Sequence, residues 1–190
     1  MRILVVGLGY LGATHAVGMA SMGHEVVGID IDASKVSALN AGNVPFYEPG
    51  LEEALGLALQ RGVITFQTHF QLKHSPEIAF ICVGTPQGVG GQPDISFVRS
   101  ACESLAPLIT RETVVAGKST VPIGTAASLR DRLEIIAGFP VHLVWNPEFL
   151  REGTALEDSL NPDRIVIGSW DNFGLQKLKE AYKRILDKGT

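Results

Sequence analysis

Three glycines and one aspartate carry the first chemistry this sequence offers. Gly7, Gly9 and Gly12 fall in VVGLGYLG (5–12) with the spacing G-x-G-x-x-G, and Asp30 follows at close to the 20-residue interval of a ribose-binding acid. Gly7 permits a tight turn. Gly9 has no Cβ, so a pyrophosphate can approach the backbone from Gly9 through Tyr10 to Leu11. Gly12 lets the following helix pack close to the strand. Free N–H groups at that helix start offer partial positive charge to phosphate. Asp30 is suited to accept hydrogen bonds from ribose hydroxyls and to repel a 2′-phosphate, which favours NAD over NADP. Lys35 is a nearby cation that softens this repulsion. The competing reading is a strand–helix turn without a ligand.

The elements around these residues decide between the two. RILVV (2–6) is a short apolar run of the kind buried in parallel sheets. A helical stretch runs to Met22 and stops at Gly23, and HEVVGID (24–30) is the next strand. Asp32 caps a helix with Val36 and Leu39 inward. Pro45 to Pro49 is a loop. Pro49 stands at or near the first turn of a helix with Leu51, Leu55 and Leu59 on one face and Gly62 beyond its end. VITF (63–66) and IAFICV (78–83) are strands, followed by the glycine-rich loop GTPQGVGGQP (84–93). Asp94 caps a helix whose inner face is Val98, Cys102, Leu105 and Ile109. TVVAG (113–117) is a strand, and Thr125 to Ala137 a helix with Leu129, Leu133 and Ile136 inside. VHLVW (141–145) and RIVIGS (164–169) are strands flanking a polar, irregular segment. Asp171 caps a last helix carrying Leu175, Leu178, Tyr182 and Ile185 to Gly189.

Strands alternating with helices of this length specify an α/β fold, a doubly wound, mostly parallel sheet of Rossmann type with helices on both faces. The 190 residues read as a single domain, 1–190, with no repeat and no linker. Strand, three glycines, helix, strand and acid fall in order, which favours the cofactor reading of the glycines.

Other signals fail. A net charge of −4 and the lack of any basic patch argue against a nucleic-acid partner. No apolar run is long enough for a bilayer span, and the N-terminus does not read as a signal peptide. Two cysteines make no disulfide framework; Cys82 and Cys102 read as reduced core thiols, which places the chain in the cytoplasm. GKST (117–120) resembles a P-loop, but position 112 is Glu where a glycine is needed, and Pro122 breaks the required helix. His15, His24, His69, His74 and His142 have no metal-ligand spacing, and no metal site is expected.

Beyond residue 40 the chain resembles the UDP-glucose/GDP-mannose dehydrogenase family, in its N-terminal NAD-binding domain. The stretches that carry this are VVGLGYLG (5–12), VPFYEPGLEEAL (44–55), FICVGTP (80–86), GKSTVPIGT (117–125), NPEFLREGTA (146–155) and NPDRIVIG (161–168). The resemblance implies a four-electron oxidation of a nucleotide sugar's C6 alcohol to a carboxylate, with two NAD. It assigns Thr120 to ordering a water and handling protons near C6. It assigns Glu148 to activating the water that hydrolyses a thioester intermediate. Glu152 lies near the nicotinamide half of NAD, and Phe149, Leu150 and Arg151, with Glu152, touch the sugar. Val83, Gly84, Thr85 and Ser119 approach the cofactor.

From the residues alone, Glu148 and Glu152 also read as solvated charges four apart on a helix, and Thr120 as a turn hydroxyl. The family's nucleophilic cysteine, with a lysine, an asparagine and an aspartate, lies in later segments that this chain lacks. The resemblance therefore implies an N-terminal fragment of a longer enzyme, inactive alone, whose missing C-terminal domain is its natural partner. The full-length protein is expected to be a homodimer. Tyr47 and the Pro162-Asp163-Arg164 run favour UDP-glucose over GDP-mannose or a UDP-N-acetylhexosamine. A non-catalytic NAD-sensing module and a hydroxyacid-type dehydrogenase are the other readings.

Overall fold

The computed structural model describes residues 1–190, the side chain of Val89 aside. Its centre is a seven-stranded sheet in the order β3-β2-β1-β4-β5-β6-β7. The strands are β1 (Arg2–Val6), β2 (Glu25–Ile29), β3 (Ile64–Gln67), β4 (Ile78–Ile81), β5 (Val114–Gly117), β6 (His142–Trp145) and β7 (Gly168–Ser169). β1 to β6 pair in parallel; Arg2 lies opposite Glu25 and Ile3 opposite Ile78. β7 alone is antiparallel, with Trp145 opposite Gly168.

The side-chain alternation of each strand divides the core between two faces. Ile3, Val5, Phe80, Val114 and Val144 point to one, where they meet α1 (Tyr10–Ser21), α2 (Ala33–Asn40), α3 (Leu51–Gln60), α6 (Ala155–Leu160), α7 (Asn172–Ala181) and α8 (Lys183–Leu186). Leu4, Val6, Ile81, Val115 and Leu143 point to the other, against α4 (Ser96–Leu105) and α5 (Thr125–Ala137). α1 is buried from Gly12 through Ala20, which fixes its N-terminus over the carboxyl end of β1. The chain runs outward from β1 through β2 to β3, then returns to lay β4 beside β1. That reversal opens a crevice at the carboxyl ends of β1 and β4, where doubly wound sheets receive ligands.

Several local expectations change. RIVIGS contributes only Gly168 and Ser169 as strand, because Asn146 Nδ2 takes the Val166 carbonyl out of the ladder. The segment before it is not irregular throughout, for α6 forms there with Ala155 and Leu156 buried. Asp94 accepts from the Ser96 amide one step outside the helix, whose N-cap is Ile95. Pro49 precedes α3, and Gly50 is its left-handed N-cap. Ile136 is exposed rather than inside: Leu129 and Leu133 continue at i+4 spacing to Ala137, which packs on the core instead. The last helix breaks at Tyr182 into α7 and α8, although Leu178, Tyr182 and Ile185 are buried as expected. Among the described residues no helix is long and apolar enough to cross a membrane, and no cluster suits a metal ion.

Candidate functional site

The glycine turn is built as its spacing predicts. Gly7 has φ +91°, and a Cβ there would meet Val83 at 2.8 Å. Gly12 sits inside α1 against the turn; a Cβ would lie 1.7 Å from the Gly7 carbonyl oxygen. Gly9 is the N-cap of α1, exposed, and a Cβ on it would meet nothing within 4 Å. The fold does not require glycine at position 9. The open space above it is the cradle a phosphate group would fill, beside the free amides that begin α1.

Asp30 folds back onto this turn. Its Oδ2 accepts from the Leu8 amide at 2.7 Å and from Lys35 Nζ at 3.0 Å, and its Oδ1 from the Asp32 amide at 3.0 Å. Burial raises the carboxyl's pKa, but the two amides and the Lys35 ammonium outweigh it and hold the group below the ordinary carboxylate value. Oδ1 keeps a lone pair for a further donor such as a ribose hydroxyl. Lys35 thus lies directly on Asp30.

The turn after β4 closes the crevice. Ser119 Oγ donates to the Val83 carbonyl at 2.6 Å, and Thr85 Oγ1 donates to the Thr120 carbonyl at 3.0 Å. These bonds bring Val83, Gly84 and Thr85 against the Ser119–Thr120 turn that follows β5. The Thr120 side chain is exposed.

Glu148 to Glu152 form a loop rather than a helix, so the pair is not a helix-face charge pattern. Glu148 is half-buried and its Oε2 accepts from the Leu150 amide at 2.7 Å. Glu152 is exposed. Phe149 is 55% exposed, with the Arg164 guanidinium 4.9 Å over its ring. Arg151 turns away from this group: its guanidinium is bidentate on Asp158 at 2.6 and 3.1 Å, which pushes that carboxyl down to about 2.

A cleft of about 500 Å³ opens beneath the loop, walled by His15, Lys118, Asn146, Glu148, Arg164 and Tyr182. Sequence reasoning gave Lys118, Asn146 and Tyr182 no role at this site. Asn146 is buried and central: it accepts from Tyr182 Oη at 2.7 Å and from Lys118 Nζ at 3.2 Å, and its own amide donates to the Gly117 carbonyl at 2.8 Å. Lys118 is 6% exposed and has no carboxylate in ion-pair range among the described residues. A lysine directly after an apolar strand, VVAGK, was the available signal.

Burial pushes the Lys118 ammonium below the ordinary lysine value. Its folded pKa is below its unfolded one, so the unfolded chain binds more protons between them and stability rises with pH across that window. The buried charge is a full cost below the window. Lys118→Met should therefore raise the melting midpoint at neutral pH by a few degrees, the scale of about 1 kcal/mol in a chain this size. The gain should shrink as pH climbs toward the lysine range. Thermal melts at neutral and alkaline pH check this; a midpoint lowered at both would show that the bonds to Asn146 outweigh the burial.

Glu48 was also missed. It is 6% exposed and accepts from the Tyr10 phenol, from the Gly153 amide at 3.0 Å and from the Leu156 amide at 3.2 Å. Burial, then Glu48, pushes the Tyr10 phenol up to about 12, so it remains a donor.

Comparison with known proteins identifies the family to which this fold belongs. Residues 1–186 match the profile described as "UDP-glucose/GDP-mannose dehydrogenase family, NAD binding domain". The UDP-glucose 6-dehydrogenase YwqF of Bacillus subtilis is 38% identical over 96% of this chain and 42% of its own length. A UDP-glucose dehydrogenase from Pyrobaculum islandicum superposes with a TM-score of 0.88 at 42% identity, over 97% of this chain and 44% of that one. A GDP-mannose dehydrogenase from Pseudomonas aeruginosa, solved as a ternary complex, superposes with a TM-score of 0.92 at 35% identity and the same coverage. The chain thus spans less than half the length of these proteins.

Proposed function

Because the chain belongs to the UDP-glucose/GDP-mannose dehydrogenase family, as its NAD-binding domain, we propose that it supplies the cofactor half of a nucleotide-sugar 6-dehydrogenase acting on UDP-glucose. The observation that carries this is the open Gly9 cradle at the head of α1 with Asp30 folded onto the same turn. NAD would supply the hydride acceptor for the sugar's C6. The Gly9–Leu11 amides would hold its pyrophosphate, and Asp30 would orient its adenosine ribose. Val83, Gly84, Thr85 and Ser119 would line the cofactor, and Glu152 would lie near its nicotinamide half. Thr120 positions a water and its proton near C6, and Glu148 draws the proton from the water of the hydrolytic step. Phe149, Leu150 and the Arg151 backbone face the sugar, since the Arg151 guanidinium is engaged by Asp158. The likeness to a GDP-mannose dehydrogenase keeps GDP-mannose as the second substrate.

The cofactor assignment makes a specific prediction. Calorimetric titration should give tighter binding of NAD than of NADP, because the 2′-phosphate meets the Asp30 carboxylate. Asp30→Ala should weaken NAD by about 1–3 kcal/mol, the cost of stranding hydrogen-bonding groups. Lys35→Ala should widen the preference for NAD, because it removes the cation 3.0 Å from that carboxylate. Equal affinities for the two cofactors in the unaltered chain would sink the Asp30 assignment.

A further inference from the structure

Glu48 lies outside both the glycine turn and the 148–153 loop, yet it touches each. Its three donors come from three segments: Tyr10 opens α1 next to Gly9, Gly153 ends the loop, and Leu156 stands in α6. The Gly153 amide is shared between Glu48 Oε2 and Tyr10 Oη, each at 3.0 Å. Tyr10 is held from its other side by Phe46, with ring centroids 4.8 Å apart. No cation among the described residues pairs with Glu48, so these donors alone satisfy its carboxylate.

The rest of the loop is tied less firmly. Glu148 bonds locally to the Leu150 amide, and Arg151 holds Asp158 through its amide and its bidentate guanidinium, a tie whose arginine side is open to solvent. The buried ties are Asn146 at its start and Glu48 at its end. Gly153 has φ +88°, a left-handed conformation that favours glycine, at the point that Glu48 holds.

We propose that Glu48 is a positioning residue that couples cofactor occupancy of the Gly9–Leu11 turn to the order of the loop bearing Glu148 and Glu152. The proposal rests on the NAD-binding reading above. A pyrophosphate seated on Gly9–Leu11 fixes the first turn of α1. That fixes the Tyr10 phenol, which orients the Glu48 carboxylate toward the Gly153 and Leu156 amides. The loop then tightens when the cofactor arrives, through hydrogen bonds alone.

Amide hydrogen exchange on the 190-residue chain, with and without saturating NAD, tests it at Gly153 and Leu156. In the unaltered chain NAD should slow both amides by about tenfold. Tyr10→Phe removes the phenol's bond to Glu48 and its share of the Gly153 amide, but leaves both amide bonds to Glu48. Without NAD its exchange should stay near that of the parent at Leu156, which the phenol does not touch, and the slowing by NAD should vanish there and at Gly153. By linkage its NAD affinity should fall by about the same factor. Glu48→Gln should speed exchange even without NAD. A purely structural Glu48 would leave the NAD-dependent slowing intact in Tyr10→Phe, and that result overturns the coupling. So does an unaltered chain that binds NAD by calorimetry with no change at either amide. An unaltered chain that fails to bind NAD overturns the functional reading itself, and the coupling with it.

Discussion

Gly9→Ala should leave the protein folded and abolish its binding of NAD, whereas Gly12→Ala should damage the fold itself. Gly9 has φ −68° and ψ −169°, a conformation alanine adopts freely, and its Cβ would meet nothing within 4 Å. Stability should therefore change by no more than about 1 kcal/mol, with a gain expected from the less flexible unfolded chain. The new methyl occupies the space a pyrophosphate needs, and affinity should drop at least about 100-fold, or about 2.7 kcal/mol. At Gly12 the methyl would sit 1.7 Å from the Gly7 carbonyl oxygen and 3.1 Å from the Cys82 Cβ. Backbone cannot rotate aside, so α1 must lift off the sheet. A loss of about 3–5 kcal/mol is expected, at the upper end for one substitution, and a midpoint lower by roughly 10 °C or more. Melts and calorimetry on the two variants separate the roles. A Gly9→Ala protein that binds NAD normally would show the turn to be structural only.

The 190-residue chain, given NAD and UDP-glucose, should produce no NADH. Cys82 and Cys102 are 4% and 2% exposed, and burial pushes both thiols up to about 12, so neither supplies a thiolate for a covalent step. The chain spans 42–44% of the UDP-glucose dehydrogenases it matches. Phe149, the most exposed apolar side chain of the 148–152 loop, is 55% exposed with Arg164 over its ring. Thr120 is exposed, and enclosing a sugar against it is positioning of a kind worth about 7–11 kcal/mol of a barrier. Absorbance of NADH at high protein concentration is the measurement, with GDP-mannose as a second arm. Steady protein-dependent formation with either sugar would make this chain an enzyme in its own right.

What was legible in the sequence follows from how parallel sheets are encoded. Buried strands such as RILVV and IAFI are apolar on both faces, so they stand out from the amphipathic helices between them. Asp32 and Asp171 mark helix starts because a side-chain oxygen next to free amides has a local partner, here Ser34 and Gly174. Asp30 was legible by spacing for the same reason, its anchor being the turn itself. Glu48 was not, since two of its donors are backbone amides more than a hundred residues along the chain, and amides carry no sequence identity. α6 escaped because ALEDSL buries only Ala155 and Leu156 and has no side-chain cap. β7 was overestimated because RIVIGS has strand composition, while the sheet edge offers partners only at Val144 and Trp145.

The parallel register has a consequence for how this chain reaches its structure. Arg2 must find Glu25, Ile3 must find Ile78, and Ile78 must find Val114 before the sheet's centre exists. Even the antiparallel pair, Trp145 with Gly168, is joined by a long excursion rather than a hairpin. No strand pair can form as a local nucleus, so loop-closure entropy must be met before any ladder bond repays it. Folding should therefore start where a helix lies between adjacent strands, at β1-α1-β2, and proceed more slowly than in a helical chain of equal length. The apolar runs that make the strands easy to read are the same runs left uncovered during that interval, which makes the refolding yield sensitive to protein concentration.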